Sequence, residues 1–203
     1  MDTDNCTDIS TGLSLRLLGP FQMHLDGQDR SSAFRTRKEL ALFAYLAAEA
    51  GRLHRREALA ELFWPERPEG YARTNLRQAL YGLRKAVGEG DLPYLRITDE
   101  QVGFKAEFAS CLDVEVFSSR YQSTLLPPHT KLTTCPECAA ALQDAVSLYR
   151  GDFLVDITLP GSQSFQEWVI FQREQYHRNL LNALHNLSGY YQQDGDFDRA
   201  HNY

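Results

Sequence analysis

Two sets of residues have the types and spacing to do chemistry. The first lies between Glu69 and Glu89, a stretch with no carboxylate in a chain otherwise rich in them. It holds Arg73, Thr74, Arg77, Gln78, Tyr81, Arg84 and Lys85. Guanidinium and ammonium groups bind phosphates and guanine edges, a glutamine amide pairs with adenine, and Thr and Tyr hydroxyls reach either. The second is Cys135-Pro136-Glu137-Cys138, with His129 six residues before it. Two thiolates and an imidazole are zinc ligands, and Cys111 could supply a fourth. A Cys-x-x-Cys at a helix start also fits two inert buried thiols or a redox pair. The metal reading, a structural zinc on His129, Cys135 and Cys138, stands beside those alternatives.

Catalysis finds little support. The chain lacks a GxxxxGK[ST] phosphate loop, a GxSxG elbow, an HExxH pair and a GxGxxG turn. His24, His54, His177, His185 and His201 are scattered singly. A non-enzymatic role is expected, with no certain cofactor.

The basic set must be carried by a helix. At about 100° per residue from Leu76, the positions Leu80, Leu83, Val87 and Ala79 fall within about 60° of it, one apolar stripe. Arg73, Arg84, Arg77, Tyr81, Thr74, Lys85 and Gln78 fan out from about 60° to about 200°. The spacing predicts a helix over Tyr71–Val87 with an apolar back and a basic front. Before it, Arg55 to Trp64 reads as a helix with Ala58, Leu59, Leu62 and Phe63 on one face. Arg55 and Arg56 open that helix, where backbone N–H groups and side chains can clamp a phosphate. A helix from Thr36 to Gly51 precedes these, following the Leu40, Phe43, Ala44, Ala47, Ala48 spacing.

Strands flank the helices. Leu13, Leu15 and Leu17 alternate with polar residues, as do Phe21, Met23 and Leu25, and Asp26-Gly27 is a tight-turn pair. Tyr94–Thr98 and Gln101–Lys105 form a hairpin about Asp99-Glu100, which places two negative charges at its tip. Strands, three helices and a hairpin together describe a winged helix-turn-helix preceded by a small sheet. It is expected to have a core of its own, with Leu59, Leu62, Phe63, Trp64, Leu76, Leu80 and Leu83 behind the third helix.

The second half reads as helical. Val114, Phe117, Tyr121 and Leu125 share a face ended by Pro127-Pro128, Ala139–Tyr149 is a second helix, and a third runs from Ser164 to about Tyr191. In that third helix Trp168, Phe171, Leu180, Leu184 and Leu187 are spaced for burial. Leu184, Leu187, Tyr191, Gly195, Phe197 and Ala200 follow the tetratricopeptide (TPR) pattern, a repeat that needs stacked neighbours. The expected fold class is therefore an α+β winged helix-turn-helix followed by an all-α, TPR-like helical-repeat domain. The expected divisions are a tail over 1–12, the winged helix over 13–107 and the helical domain over 108–203, the last reading as part of a longer protein.

Charge supports that division. The 203 residues carry 21 Lys+Arg and 27 Asp+Glu, net −6. Residues 13–105 alone carry 15 Lys+Arg against 12 Asp+Glu, while 106–203 carry 6 against 12. An acidic total excludes a protein that coats nucleic acid by bulk charge, yet the first half can meet a polyanion. No run of roughly 18 apolar residues spans a membrane. Four Cys are too few for a disulfide scaffold. The first dozen residues lack a signal peptide's apolar segment, so the cytoplasm with free or metal-bound thiols is expected.

LSLRLLGPFQMHLDG, RTRKELALFAYLAAEAGRLHRREALAELFWPE, ARTNLRQALYGLRKAVG and the hairpin ending VGFKA resemble the winged helix of the SARP (antibiotic regulatory protein) family of bacterial transcriptional regulators. DVEVF, AVSLYRGDFL and FQEWVIFQRE resemble that family's bacterial transcriptional activator domain (BTAD). The resemblance covers Leu13 to Tyr203. It implies a sequence-specific, double-stranded-DNA-binding activator that reads the promoter major groove with residues 71–87. It also implies pairing on direct repeats as a homodimer and recruitment of RNA polymerase subunits. The alternative is a protein-interaction module of a larger signalling protein without direct DNA binding; the basic, acid-free third helix favours DNA.

Overall fold

The computed structural model describes residues 12–88, 94–126 and 132–203. The chain opens with an antiparallel meander, β1 (Leu13–Arg16), β2 (Gln22–Leu25) and β3 (Gln28–Asp29), in which Leu15 faces Met23. Asp26 (φ 51°) and Gly27 (φ 75°) make the tight turn between β2 and β3. Two successive left-handed residues are what a two-residue hairpin of right-twisted strands requires. Leu13, Leu15, Met23 and the following Leu17 and Leu18 are buried.

Three helices follow: α1 (Arg37–Ala48), α2 (Arg56–Phe63) and α3 (Glu69–Ala86). Thr36 caps α1 by accepting the Glu39 N–H at 3.1 Å. The α3 helix starts two residues before the expected Tyr71, because the Pro68 carbonyl already accepts the N–H groups of Tyr71 and Ala72. Within α2, Ala58 is exposed and Ala60 is buried, a correction of the expected face. In an eight-residue helix the packing against α3, more than periodicity, selects the inward side.

The hairpin is β5 (Leu95–Ile97) and β6 (Gln101–Phe104), with Leu95 opposite Phe104 and Ile97 opposite Val102. A further strand, β4 (His54–Arg55), pairs antiparallel with β6 and completes a sheet of order β4-β6-β5. Gly103 permits this closure, since a Cβ there would run into the Arg52 carbonyl.

A short tight-helical segment (Ala106–Cys111) leads to α4 (Asp113–Ser123), α5 (Pro136–Leu148), α6 (Gln163–Asp194) and α7 (Phe197–Asn202). Gly195, at φ 81°, ends α6 in the left-handed conformation. The phase expected for α6 is partly corrected. Phe165, Val169, Tyr176, Ala183, Leu187 and Tyr191 line its buried face, whereas Phe171 is 66% exposed. Six residues beyond Phe165, Phe171 is rotated by about 240° around the axis, away from the core.

The winged region does not have a separate core. One apolar cluster runs from Leu13 to Tyr176 and takes in Leu59, Phe63, Trp64, Leu76, Leu80 and Leu83 with Phe117, Phe153 and Phe165; Leu62 packs on it half-buried. The Phe63 and Phe165 rings lie 5.2 Å apart and those of Tyr45 and Trp168 4.7 Å apart. Polar contacts follow the same joint. Ser162 Oγ donates to the Phe63 carbonyl (3.1 Å), and Trp168 Nε1 donates to Glu49 Oε1 (3.0 Å). Buried Asp113 accepts the N–H groups of Leu17 (2.7 Å) and Leu18 (2.9 Å). Burial raises the Asp113 carboxyl above its usual range, opposed by those two donors and by Arg150. A second, smaller cluster joins Tyr121, Ala139, Leu142, Ala183, Leu187, Tyr191 and Ala200.

Candidate nucleic-acid interface

The α3 helix separates its two faces as its sequence demands. Ala72, Leu76, Ala79, Leu80, Gly82, Leu83 and Ala86 are buried, while Arg73, Thr74, Arg77, Gln78, Tyr81, Arg84 and Lys85 are exposed. Buried Glu39 of α1 lies against Gly82, where a Cβ would approach its carboxylate to 2.5 Å. A glycine here brings α1 close to α3 and seats the helix deeply enough for its front to project.

The exposed side chains differ in how they are held. Arg77, Gln78 and Tyr81 line a cleft of ≈ 650 Å³ together with Arg35, Thr36 and Glu39 at the start of α1. Arg77, Tyr81 and Arg84 also line a depression of ≈ 290 Å³ with Arg56, Leu80 and the wing residue Ile97. The Lys85 ammonium sits 4.9 Å from the centre of the Tyr81 ring, which orients both. Thr74 Oγ donates back to the Gly70 carbonyl at 2.9 Å. Arg73 is engaged on the far side by Glu69 (2.6 Å) and Glu57 (3.5 Å). Arg56 Nε donates to the Thr98 carbonyl at 2.9 Å, tying the start of α2 to the wing. Arg55 is the exposed residue before α2 and has β-region backbone.

Thus Arg56, Arg77, Gln78, Tyr81 and Arg84 converge, with Thr74 and Lys85 on the same helix front. Arg73 is held instead by Glu69 of its own helix and Glu57 of α2. The sequence reading missed Arg35, whose signal was the RTRK run that opens α1, and Ile97 at the floor of the depression. The wing turn leaves Asp99 and Glu100 exposed.

Two members of the expected zinc set can be placed. Cys135 and Cys138 come together at the start of α5, with the Cys138 N–H donating to Cys135 Sγ at 3.3 Å. Cys111 is disulfide-bonded, which removes it as a fourth ligand and corrects, for that residue, the expectation of free or metal-bound thiols. His129 lies outside the described residues. Among the described residues no group of three or more His, Cys, Asp or Glu is gathered for a metal, and no helix is long and apolar enough to cross a membrane.

Residues 31–106 match the protein family described as "Transcriptional regulatory protein, C terminal", a span that contains all three helices and the wing. A solved structure of Mycobacterium tuberculosis EmbR in complex with a low-affinity phosphopeptide is similar, with a TM-score of 0.72 and 22% identity over 91% of this chain. The chain spans 46% of the length of that solved chain. No curated protein matches it in sequence. The family match is confined to residues 31–106. The likeness to the EmbR structure is one of fold, a winged helix followed by a helical domain.

Proposed function

We propose that the chain is a sequence-specific activator that reads the promoter major groove with α3. The observation that carries this reading is a carboxylate-free, exposed helix front fixed on an apolar back, flanked by arginines of α1 and α2. Duplex DNA repels carboxylates and rewards guanidinium groups, so such a front suits a groove and little else. Thr74, Arg77, Gln78 and Tyr81 face base edges, while Arg55, Arg56, Arg84 and Lys85 meet phosphates. Arg73 reaches a phosphate only by leaving Glu69 and Glu57. The carboxylates at Asp99-Glu100 keep the wing tip out of a deep minor-groove insertion. Residues 13–107 act as the DNA-binding part. Residues 108–203 contact partners, RNA polymerase among them, with two copies on direct repeats, in the cytoplasm.

A mobility-shift titration over a range of salt tests the groove assignment, on a site selected from a random pool. Arg77→Ala weakens binding to that site by about 1–3 kcal/mol and relaxes sequence preference. Lys85→Ala weakens all sequences alike and lowers the salt slope by about one. Binding unaffected by either change would remove α3 from the groove.

A further inference from the structure

The helical half holds a pair of sulfurs that DNA binding does not use. Cys135 is the N-cap of α5 and half-buried, while Cys138, one turn later, is 2% exposed. The Cys138 N–H donates to Cys135 Sγ (3.3 Å), which brings the two residues together. The Cys135 thiol in turn donates to Glu137 Oε2 at 3.3 Å. One cysteine is therefore partly exposed beside a carboxylate, and the other is enclosed one turn further along the helix.

We propose that Cys135 and Cys138 form a thiol–disulfide exchange site whose substrates are small-molecule disulfides. Cys135 passes its proton to Glu137 and attacks one sulfur of the small disulfide. A Cys135 mixed disulfide forms, the small S–S bond breaks, and the departing thiolate takes up a proton. Cys138 then attacks Cys135 Sγ, its proton passing to the departing small thiolate. The mixed disulfide breaks, the second small thiolate leaves and is protonated, and a Cys135–Cys138 bond remains. Two protein thiols and one small disulfide thus become one protein disulfide and two small thiols, a two-electron oxidation of the protein.

The order of attack follows from exposure, since Cys135 is half-buried whereas Cys138 is 2% exposed. The exchange site is coupled to the end of α6. Thr133, two residues before Cys135, accepts from Gln193 Nε2 at 2.9 Å, and its methyl lies 2.9 Å from where a Cβ on Gly189 would stand.

Glutathione disulfide is the probe, read by mass mapping of the peptide that carries both cysteines after reduced, purified protein is exposed to it. The wild-type peptide loses two hydrogens and holds no lasting adduct. Cys138→Ser accumulates one glutathione on Cys135, and Cys135→Ser takes up none on the same timescale. Persistent glutathione on both wild-type cysteines, or a first adduct on Cys138, would overturn the proposal. So would one zinc per chain in protein never exposed to chelator, if it protects both thiols until chelation. Far-UV circular dichroism of each serine variant shows that α5 is still formed.

Discussion

His54 sits where β4 passes beneath α1 and is 8% exposed. Its ring lies 5.0 Å from that of Tyr45, and among the described residues its Nε2 has no hydrogen-bond partner. Burial, with Arg52 adding and Glu49 opposing, lowers its pKa below the ordinary value. The unfolded chain takes up a proton on this imidazole near pH 6.5, whereas the folded one resists. Its contribution to stability is therefore fully present above about pH 6.5 and is lost as pH falls through the lower folded value. Melting temperature should decline between pH 7 and pH 5 in the wild type and decline less in His54→Leu; parallel profiles would refute the assignment. At this scale the sequence was informative where exposure follows a period, as for Arg77, Gln78, Tyr81 and Arg84. Arg35 stands just before α1, outside any helical period, and only the basic RTRK run marks it. The sequence was readable but unread at Arg73, since Glu69 lies four residues earlier, one helical turn away.

Among the elements, α3 depends on packing more than on intrinsic helix preference, because its front is polar and its back is the only apolar surface it offers. Leu80 is 4% exposed and lies between the buried back and the floor of the basic depression. Leu80→Ala should destabilise by about 2–5 kcal/mol, measured by denaturant titration, since the site empties without collapsing. An unchanged midpoint would mean that α3 is not seated as described. Long periodic helices were legible to within a few residues. β4 was not, because two residues hold no period and its existence rests on β6, nearly fifty positions later. The phase of α6 was half legible, since Ile170 (58% exposed) and Phe171 supply apolar residues on a side that the core does not reach.

Across the whole molecule, the order of strands, helices and hairpin could be read from alternation and helical spacing. The joint between the halves could not. It is made by residues a hundred positions apart, Phe63 with Ser162 and Phe165, and Leu17 with Asp113, and no local pattern announces such pairs. Phe165 is fully buried there. Phe165→Ala should destabilise by about 3–5 kcal/mol. Tryptophan fluorescence, which reports Trp64 and Trp168 in the shared cluster, should melt together with far-UV circular dichroism in both proteins. Transitions that separate in the wild type would show two independent units instead.

That shared cluster bears on how such chains can diversify. A gene crossover between the wing and α4 would hand the winged helix to a new neighbour stripped of Phe117, Phe153 and Phe165, leaving a greasy scar where they had packed. A larger or smaller side chain at the seam is expected to need an answering change from across it. The solvent-facing side of α3 takes no part in the shared cluster, so substitutions there leave that packing intact.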